Sequence, residues 1–349
     1  MRPTWMVQAT VNEPLELLAA FAAHHLDLGA DLVHLYLDHP HPQAHAAFKD
    51  HPRVRLTDCD ASYWAQVVPR GRPPGLPGRQ QANYRHVYDG MQQDWVLFCD
   101  ADEYLAPSDE VAALLARQPA RMDYLRIAVA EKVLPPDLQP ATVFEGTFRT
   151  GQPKGADYAP EIYGPDLAPM LERVVAAHDV GKSIVRRGVP CTLRTHMPLP
   201  MPPPAPGQID TGAKLTWAWM PGSYLAHFDA LTPLYYLVKL LARHLVNKAI
   251  LDSGRRAGQR HPSREEQMAF AVAACAQQDP VGATEVLHRL TPRSMAALQR
   301  RGLLVDLNLA PDRTARRFFP ELALDFTPEA FDRALRIKHA ATLAAMDVA

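Results

Sequence analysis

The chain has 349 residues, 47% of them hydrophobic, enough for one large domain or two ordinary ones with a sizeable core. A formal charge of −1 supplies no field to draw nucleic acid or an anionic membrane. No run of about eighteen uninterrupted apolar residues occurs, and the opening MRPTWMVQATVNEP carries no signal-peptide core, so a cytoplasmic protein without a transmembrane segment is expected.

WMVQATV (5–11) reads as a strand, with Asn12 as a helix N-cap and Pro14 in the first helical turn. In the helix that follows, Leu15, Leu18, Ala22 and Leu26 recur at helical spacing, and Gly29 supplies the stop. DLVHLYLD (31–38) is a second strand, HPQAHAAFKDH a short helix and RVRLTD (53–58) a third strand. VVPRGRPPGLPG (67–78) fits neither periodicity and reads as a loop, with its arginines suited to a mobile segment over phosphates. Helix returns at RQQANYRHVYDGMQQ, where Tyr84, Val87, Tyr88 and Met91 share one face. DWVLFCD is apolar without alternation, as expected of a central strand covered on both sides. PSDEVAALLARQ is a further helix and MDYLRIAVA a further strand. This rhythm predicts an α/β fold, a mostly parallel sheet flanked by helices.

Three acids follow the central strand: Asp100, Asp102 and Glu103 in CDADEYL. In open α/β sheets the ligand crevice lies at the carboxyl ends of the strands. Acids crowded there repel one another unless a divalent cation neutralises them.

VNEP, HHLDLGADLVHLYLDH and RQQANYRHVYDGMQQDWVLFCDADEYL together resemble the nucleotide-binding half of family 2 glycosyltransferases with a GT-A (Rossmann-like) fold. The branch is the one that opens on N-E and closes its core on D-x-D-E-[FY]-[IL]. VGKSIVRRGVPCTLRTHMP (180–198) and YLAHFDALTPLYYLVKLLARH (224–244) are similar to that branch's later pieces, in the same order. The resemblance implies a nucleoside-diphosphate sugar donor, a UDP-sugar foremost, and a glycan or lipid-linked acceptor, with inversion at the inner face of the membrane. It places Asn12, Glu13 and Asp38 near the nucleotide, and Arg79 and Gln80 near the nucleotide or its phosphates. Asp100 would face ribose or a metal-bound water, Asp102 would bind Mn²⁺ or Mg²⁺, and His227 would complete the metal shell. Lys182 and Lys239 would offset leaving-group charge, and His196 is a further substrate-side candidate. Inversion also needs a general base, for which Glu131 is the first candidate, with Glu145 and Asp179 behind it. DHPHPQAH lacks the serine and acid usual after the second strand, and AEKVLPPDLQPATVFEG departs from the acceptor-side pattern. A degenerate, scaffold-like relative and a metal-dependent nucleotidyl or phosphoryl transferase therefore stay open beside the transferase reading.

His24 and His25 read as packing and helix-surface groups, and His39 and His41 as loop residues. Cys59, Cys99, Cys191 and Cys275 lack paired spacing, so free, mostly buried thiols are expected. MPLPMPPPAPGQ (197–208) reads as a stiff connector. Beyond residue 230 the chain turns helical: Thr232–Pro233, Thr291–Pro292 and Thr327–Pro328 are helix starts, and Ser263-x-x-Glu266 reads as a capping box. The last 22 residues from Pro328 read as one amphipathic helix. The expected domains are a catalytic 1–230 and a helical 231–349 for acceptor docking, dimerisation or partner recruitment.

Overall fold

Apolar runs and turn chemistry set the element order. The computed structural model describes residues 2–201, 214–253 and 262–348. The first elements are β1 (Trp5–Val11), α1 (Leu15–Asp27), β2 (Leu32–Leu37), α2 (Pro42–Phe48), β3 (Val54–Asp58), α3 (Ala61–Val67) and α4 (Leu76–Gly90). Next come β4 (Trp95–Phe98), β5 (Glu103–Ala106), α5 (Val111–Ala116), β6 (Tyr124–Val133), β7 (Thr147–Thr150) and α6 (Ala159–Tyr163). β8 (Lys182–Arg186), β9 (Cys191–Thr192), β10 (Leu199–Pro200) and β11 (Trp217–His227) follow. The rest is α7 (Pro233–Asp252), α8 (Pro262–Ala274), α9 (Pro280–Thr284), α10 (Pro292–Arg300), β12 (Leu304–Val305), α11 (Pro311–Phe318), α12 (Pro328–Lys338) and α13 (Ala340–Ala344).

The chain forms two compact units. The first holds Met1–Ala128, Val180–Leu225 and Arg313–Ala323; the second holds Val129–Asp179, Ala226–Asp312 and Leu324–Ala349. The boundary expected after residue 230 falls inside the second unit.

In the first unit β1 pairs parallel with β2 and with β4, and β2 pairs parallel with β3. β8 is antiparallel to β4 and to the first half of β6, an insertion that strand–helix alternation alone does not reveal. The strand order 3-2-1-4 reverses between β1 and β4, which makes that position the topological switch point. Helices cover this sheet. α1 buries nearly its whole circumference, Leu17 through Leu26, and its Phe21 ring meets Tyr104 edge-on at 6.1 Å. α4 lays Tyr84 against Phe98, ring centroids 4.5 Å apart, in a core shared with Tyr36, Trp64, Val96 and Val185. Each such buried side chain contributes about 1.5–3 kcal/mol. In the second unit the other half of β6 pairs antiparallel with β7, and β7 with β12.

Several local expectations change. α1 begins after Pro14 with no side-chain cap, so Asn12 is not its N-cap. α3 lies where no helix was expected, capped by Asp60, whose side chain accepts from the Tyr63 N–H. α4 starts inside the proline-rich stretch because Pro77 is tolerated in a first turn that needs no N–H there. Ser263 lies within α8 rather than at its cap. The final amphipathic stretch breaks at His339 into α12 and α13. Most of the proline connector lies outside the described residues. Thr232, Thr291 and Thr327 do cap their helices as expected. All four cysteines are free, and three are buried. Among the described residues no helix is long and apolar enough to cross a membrane.

Candidate active site

The carboxyl ends of β1, β2 and β4 meet at the switch point, and each carries polar residues. β2 runs straight into Asp38, whose N–H donates to Val11 O at the end of β1. β4 runs into Asp100 by way of Cys99, whose N–H donates to Gln8 O of β1. The four apolar residues of β4 are fully buried, so the chain must turn once it meets charge at Asp100.

That turn closes on itself. The Glu103 N–H donates to Asp100 O at 3.0 Å, and Glu103 Oε2 accepts from the Asp100 N–H at 2.8 Å. Lys182, the first residue of β8, brings its Nζ to 2.8 Å from Asp100 Oδ2 and 3.2 Å from Glu103 Oε2. The Lys182 and Glu103 side chains are 1% and 0% exposed, whereas that of Asp100 is 34% exposed and opens to solvent. Burial works against the Lys182 charge, but Asp100 and Glu103 outweigh it and hold the ammonium well above the usual lysine range. Gln80 Nε2 donates to the other Asp100 oxygen. Asp102 is buried within the same turn. Burial first, then the Glu103 charge, pushes the Cys99 thiol well above its ordinary range, so it offers no nucleophile.

The position of Lys182 depends on Gly181. Its φ is +78°, and a Cβ there would lie 2.0 Å from Ile127 O. Glycine is therefore obligatory at the entry to β8.

Asp38 faces two arginines. Arg79 Nε lies 2.8 Å and 3.0 Å from its two carboxylate oxygens, and Arg72 Nη2 is 2.9 Å from Oδ1. Arg79 Nη1 also donates to Pro73 O and Pro74 O, which ties the proline-rich loop to the same carboxylate. Arg79 and Gln80 are adjacent, the fourth and fifth residues of α4, so the start of one helix holds both Asp38 and Asp100. One turn further on, Asn83 donates to Thr10 Oγ1 at 2.9 Å and accepts from Tyr63 Oη at 2.7 Å. Sequence reasoning missed Arg72 as a partner of Asp38, and missed Asn83. The i+3 and i+4 spacing of Asn83 from Gln80 and Arg79 was the available signal.

The remaining expected residues are placed as follows. The Asn12 N–H donates to Glu13 Oε2, at the end of β1. His196 Nδ1 lies 3.1 Å from Gly181 O, and its own carbonyl accepts from Ser183 Oγ, so it fastens the entry to β8. His24 and His25 are both buried, not on a helix surface, and His41 accepts from the Ala44 N–H to cap α2.

Glu131, His227 and Lys239 belong to the second unit. Glu131 is fully buried, paired with Arg149, and accepts from the Ala176 and Ala177 N–H groups. Burial opposes its charge, but Arg149 outweighs burial and its carboxyl is held below the usual range. Such a carboxylate is a poor general base, because both oxygens already accept hydrogen bonds. Lys239 Nζ lies 2.6 Å from Asp229 Oδ1, with the lysine side chain 25% exposed and the aspartate buried. His227 Nε2 is 3.8 Å from the same oxygen, and its ring lies against His178 with centroids 5.4 Å apart. Burial opposes the Asp229 charge as well, yet Lys239, Arg264 and His227 hold its carboxyl well below the usual range.

Glu131, Asp229 and His288 bring ligand-type atoms within 4.8 Å of one another. Arg149, Lys239 and Arg264 already match the two carboxylates there, so a further cation would meet surplus positive charge.

No family model matches the chain, and no curated protein matches it. Among solved structures the chain is similar to HddC from Yersinia pseudotuberculosis, at 11% identity over 38% of this chain and 60% of that one, with a TM-score of 0.26. It is also similar to S. aureus TarS 1-349, at 14% identity over 99% of this chain and 88% of that one, with a TM-score of 0.32. The chain thus spans less than two thirds of HddC.

Proposed function

We infer that the chain is a glycosyltransferase that moves a sugar from a nucleoside diphosphate to an acceptor hydroxyl. The observation that carries this reading is the pairing of two unlike clusters across the β1/β4 switch point. On the β2 side Arg72 and Arg79 are anchored by one aspartate, with guanidinium donors suited to phosphate oxygens. On the β4 side Asp100 and Glu103 meet the Lys182 ammonium, and Asp102 is buried in the same turn. Carboxylates of this kind are hard oxygen donors, which suit a divalent cation such as Mn²⁺ or Mg²⁺. Asp102 and the solvent-facing Asp100 are the residues that would hold it. When bound, such an ion stabilises a departing diphosphate as a Lewis acid. The chain's own part is to aim Asp100 through Gln80 and Lys182, and to set Arg72 and Arg79 opposite. The finer reading comes from the sequence resemblance: a UDP-hexose donor, a glycan or lipid-linked acceptor, and inversion.

The test is thermal stabilisation by UDP, GDP, CDP and ADP, each with and without Mn²⁺. A ligand at about 100 times its Kd adds ~2.7 kcal/mol to the folded state. The expected result is a UDP shift that needs Mn²⁺ and disappears in Asp102→Ala. No shift with any nucleotide would overturn the reading in favour of a scaffold-like relative.

A further inference from the structure

We propose that Trp217 and Trp219, held in place by Arg126, form a stacking platform for the sugar rings of a glycan. That this glycan is the acceptor rests on the proposed function; that the platform binds a glycan does not.

The arrangement is exposed and yet fixed. Both indoles lie on β11 in the first unit, two residues apart, so they share one face of the sheet. They are 43% and 47% exposed, on a strand whose Met220 and Leu225 are buried. Their planes stand at 85° with ring centroids 5.9 Å apart. The guanidinium of Arg126, on the neighbouring β6, lies 5.1 Å from the Trp217 centroid and 4.5 Å from that of Trp219. Arg126 Nη2 donates to Val180 O at 2.6 Å, which pins the guanidinium to the chain just before β8. The Tyr124 ring stacks on Trp217, with centroids 6.1 Å apart and planes at 19°. Side chains set in this way lose little freedom when a ligand arrives.

Chemistry and size choose the occupant. A pyranose carries C–H groups on its ring face and hydroxyls around its rim. The first suit an indole face, and the second suit the N–H donor at the indole edge. The exposed parts of the two indoles come to roughly 200 Å², the size of a sugar ring or two. A stable protein–protein interface takes about 800 Å² from each partner. A formal charge of −1 gives an anionic membrane nothing to hold.

The place agrees with the chemistry. Across β6 and β8, Arg126 faces Ser183 and Ile127 faces Lys182, the lysine that contacts Asp100. β6 is two strand spacings from β4, or ~10 Å. A glycan seated on the indoles therefore lies within a few sugar rings of the acidic turn.

The experiment is a titration of the full chain with maltohexaose, cellohexaose, chitohexaose and hexagalacturonate, followed by tryptophan emission and calorimetry. The variants are Trp217→Ala, Trp219→Ala and Trp219→Phe. At least one hexasaccharide should bind the wild type, and each alanine variant should weaken that binding at least about tenfold. Trp219→Phe, which keeps a ring, should fall between. All variants should keep a cooperative melting transition and the wild-type UDP–Mn²⁺ shift. If an alanine variant does not fold, Trp219→Phe carries the test, with weaker binding than the wild type expected. Binding of no hexasaccharide, or binding that the variants leave unchanged, would overturn the platform whatever the nucleotides do. A wild type that ignores nucleotides but binds a hexasaccharide through Trp219 would remove the acceptor clause and leave the platform standing. If the variants instead lose a dimer, or lose binding to anionic phospholipid vesicles, with no hexasaccharide bound, the face belongs to a second copy or a membrane and the proposal falls.

Discussion

The two units each bury acids beside bases, yet the balance differs. In the first unit one lysine lies against two carboxylates at the end of β4, and one of them, Asp100, is open to solvent. In the second unit Glu131 and Asp229 face Arg149, Lys239 and Arg264, and both acids are enclosed. The closed, fully matched cluster holds backbone together: Glu131 ties β6 to the Ala176–Ala177 segment. The open cluster keeps one carboxylate at the solvent, where a ligand can reach it. Solvent access, rather than the mere presence of buried acids, separates scaffold from candidate site here.

The comparison breaks most visibly if the matched pair is split. Arg149→Met should cost about 3–5 kcal/mol of stability, because Glu131 is left charged and buried, and chemical denaturation should show the loss with or without metal. In the open cluster, Asp102→Asn should lower the melting point in EDTA by less than Arg149→Met does, and lower sugar transfer about 10²–10³-fold. An equal loss of stability there would erase the distinction. Gly181→Ala, which pushes β8 off Ile127 O, should destabilise by roughly 1–3 kcal/mol. It should also lower Mn²⁺-dependent nucleotide binding through Lys182, whereas a glycine serving only the fold would lower stability alone.

The smallest expected effect is a pH slope. Burial lowers the His24 pKa from 6.5 to about 4, against the raising effects of its bond to Leu105 O and of Asp27. Between those values the unfolded chain takes up a proton that the folded chain refuses. Stability is therefore full above pH 6.5 and falls as the pH drops towards 4. His24→Gln should flatten that fall by up to one proton, as read from melting points across the window. An unchanged slope would assign the acid sensitivity to the other buried histidines.

β1, β2 and β4 were legible to within a residue or so, because each is a short, largely apolar run that ends on a polar residue or a turn, and β3 was legible from the alternation of Val54 and Leu56 with polar residues. Asp38 and Asp100 could be put at strand ends for the same reason. α3 was hidden by its shortness, and the start of α4 by prolines that read as loop until one sees that a first turn accepts them. The antiparallel β8 was hidden because hydrophobic pattern does not encode strand direction. Roles that depend on pairing were least legible. Glu131 reads like a free acid at the end of a strand until Arg149, eighteen residues later, is found opposite it on β7. Lys182 likewise reads like a ligand-facing cation until its burial against Glu103 is seen.

The interleaving of the two units has a consequence on the ribosome. Phe319 packs edge-on against Phe48 with ring centroids 5.2 Å apart, and Arg317 pairs with Asp27, so the first unit is finished by a segment made well after residue 225. At about 5–20 residues per second, the nascent first unit waits roughly 5–20 s after residue 225 emerges before its last piece is available. During that interval the apolar surface around Phe48 is uncovered, and it is there that a chaperone, or a misfolded partner, would have its opportunity.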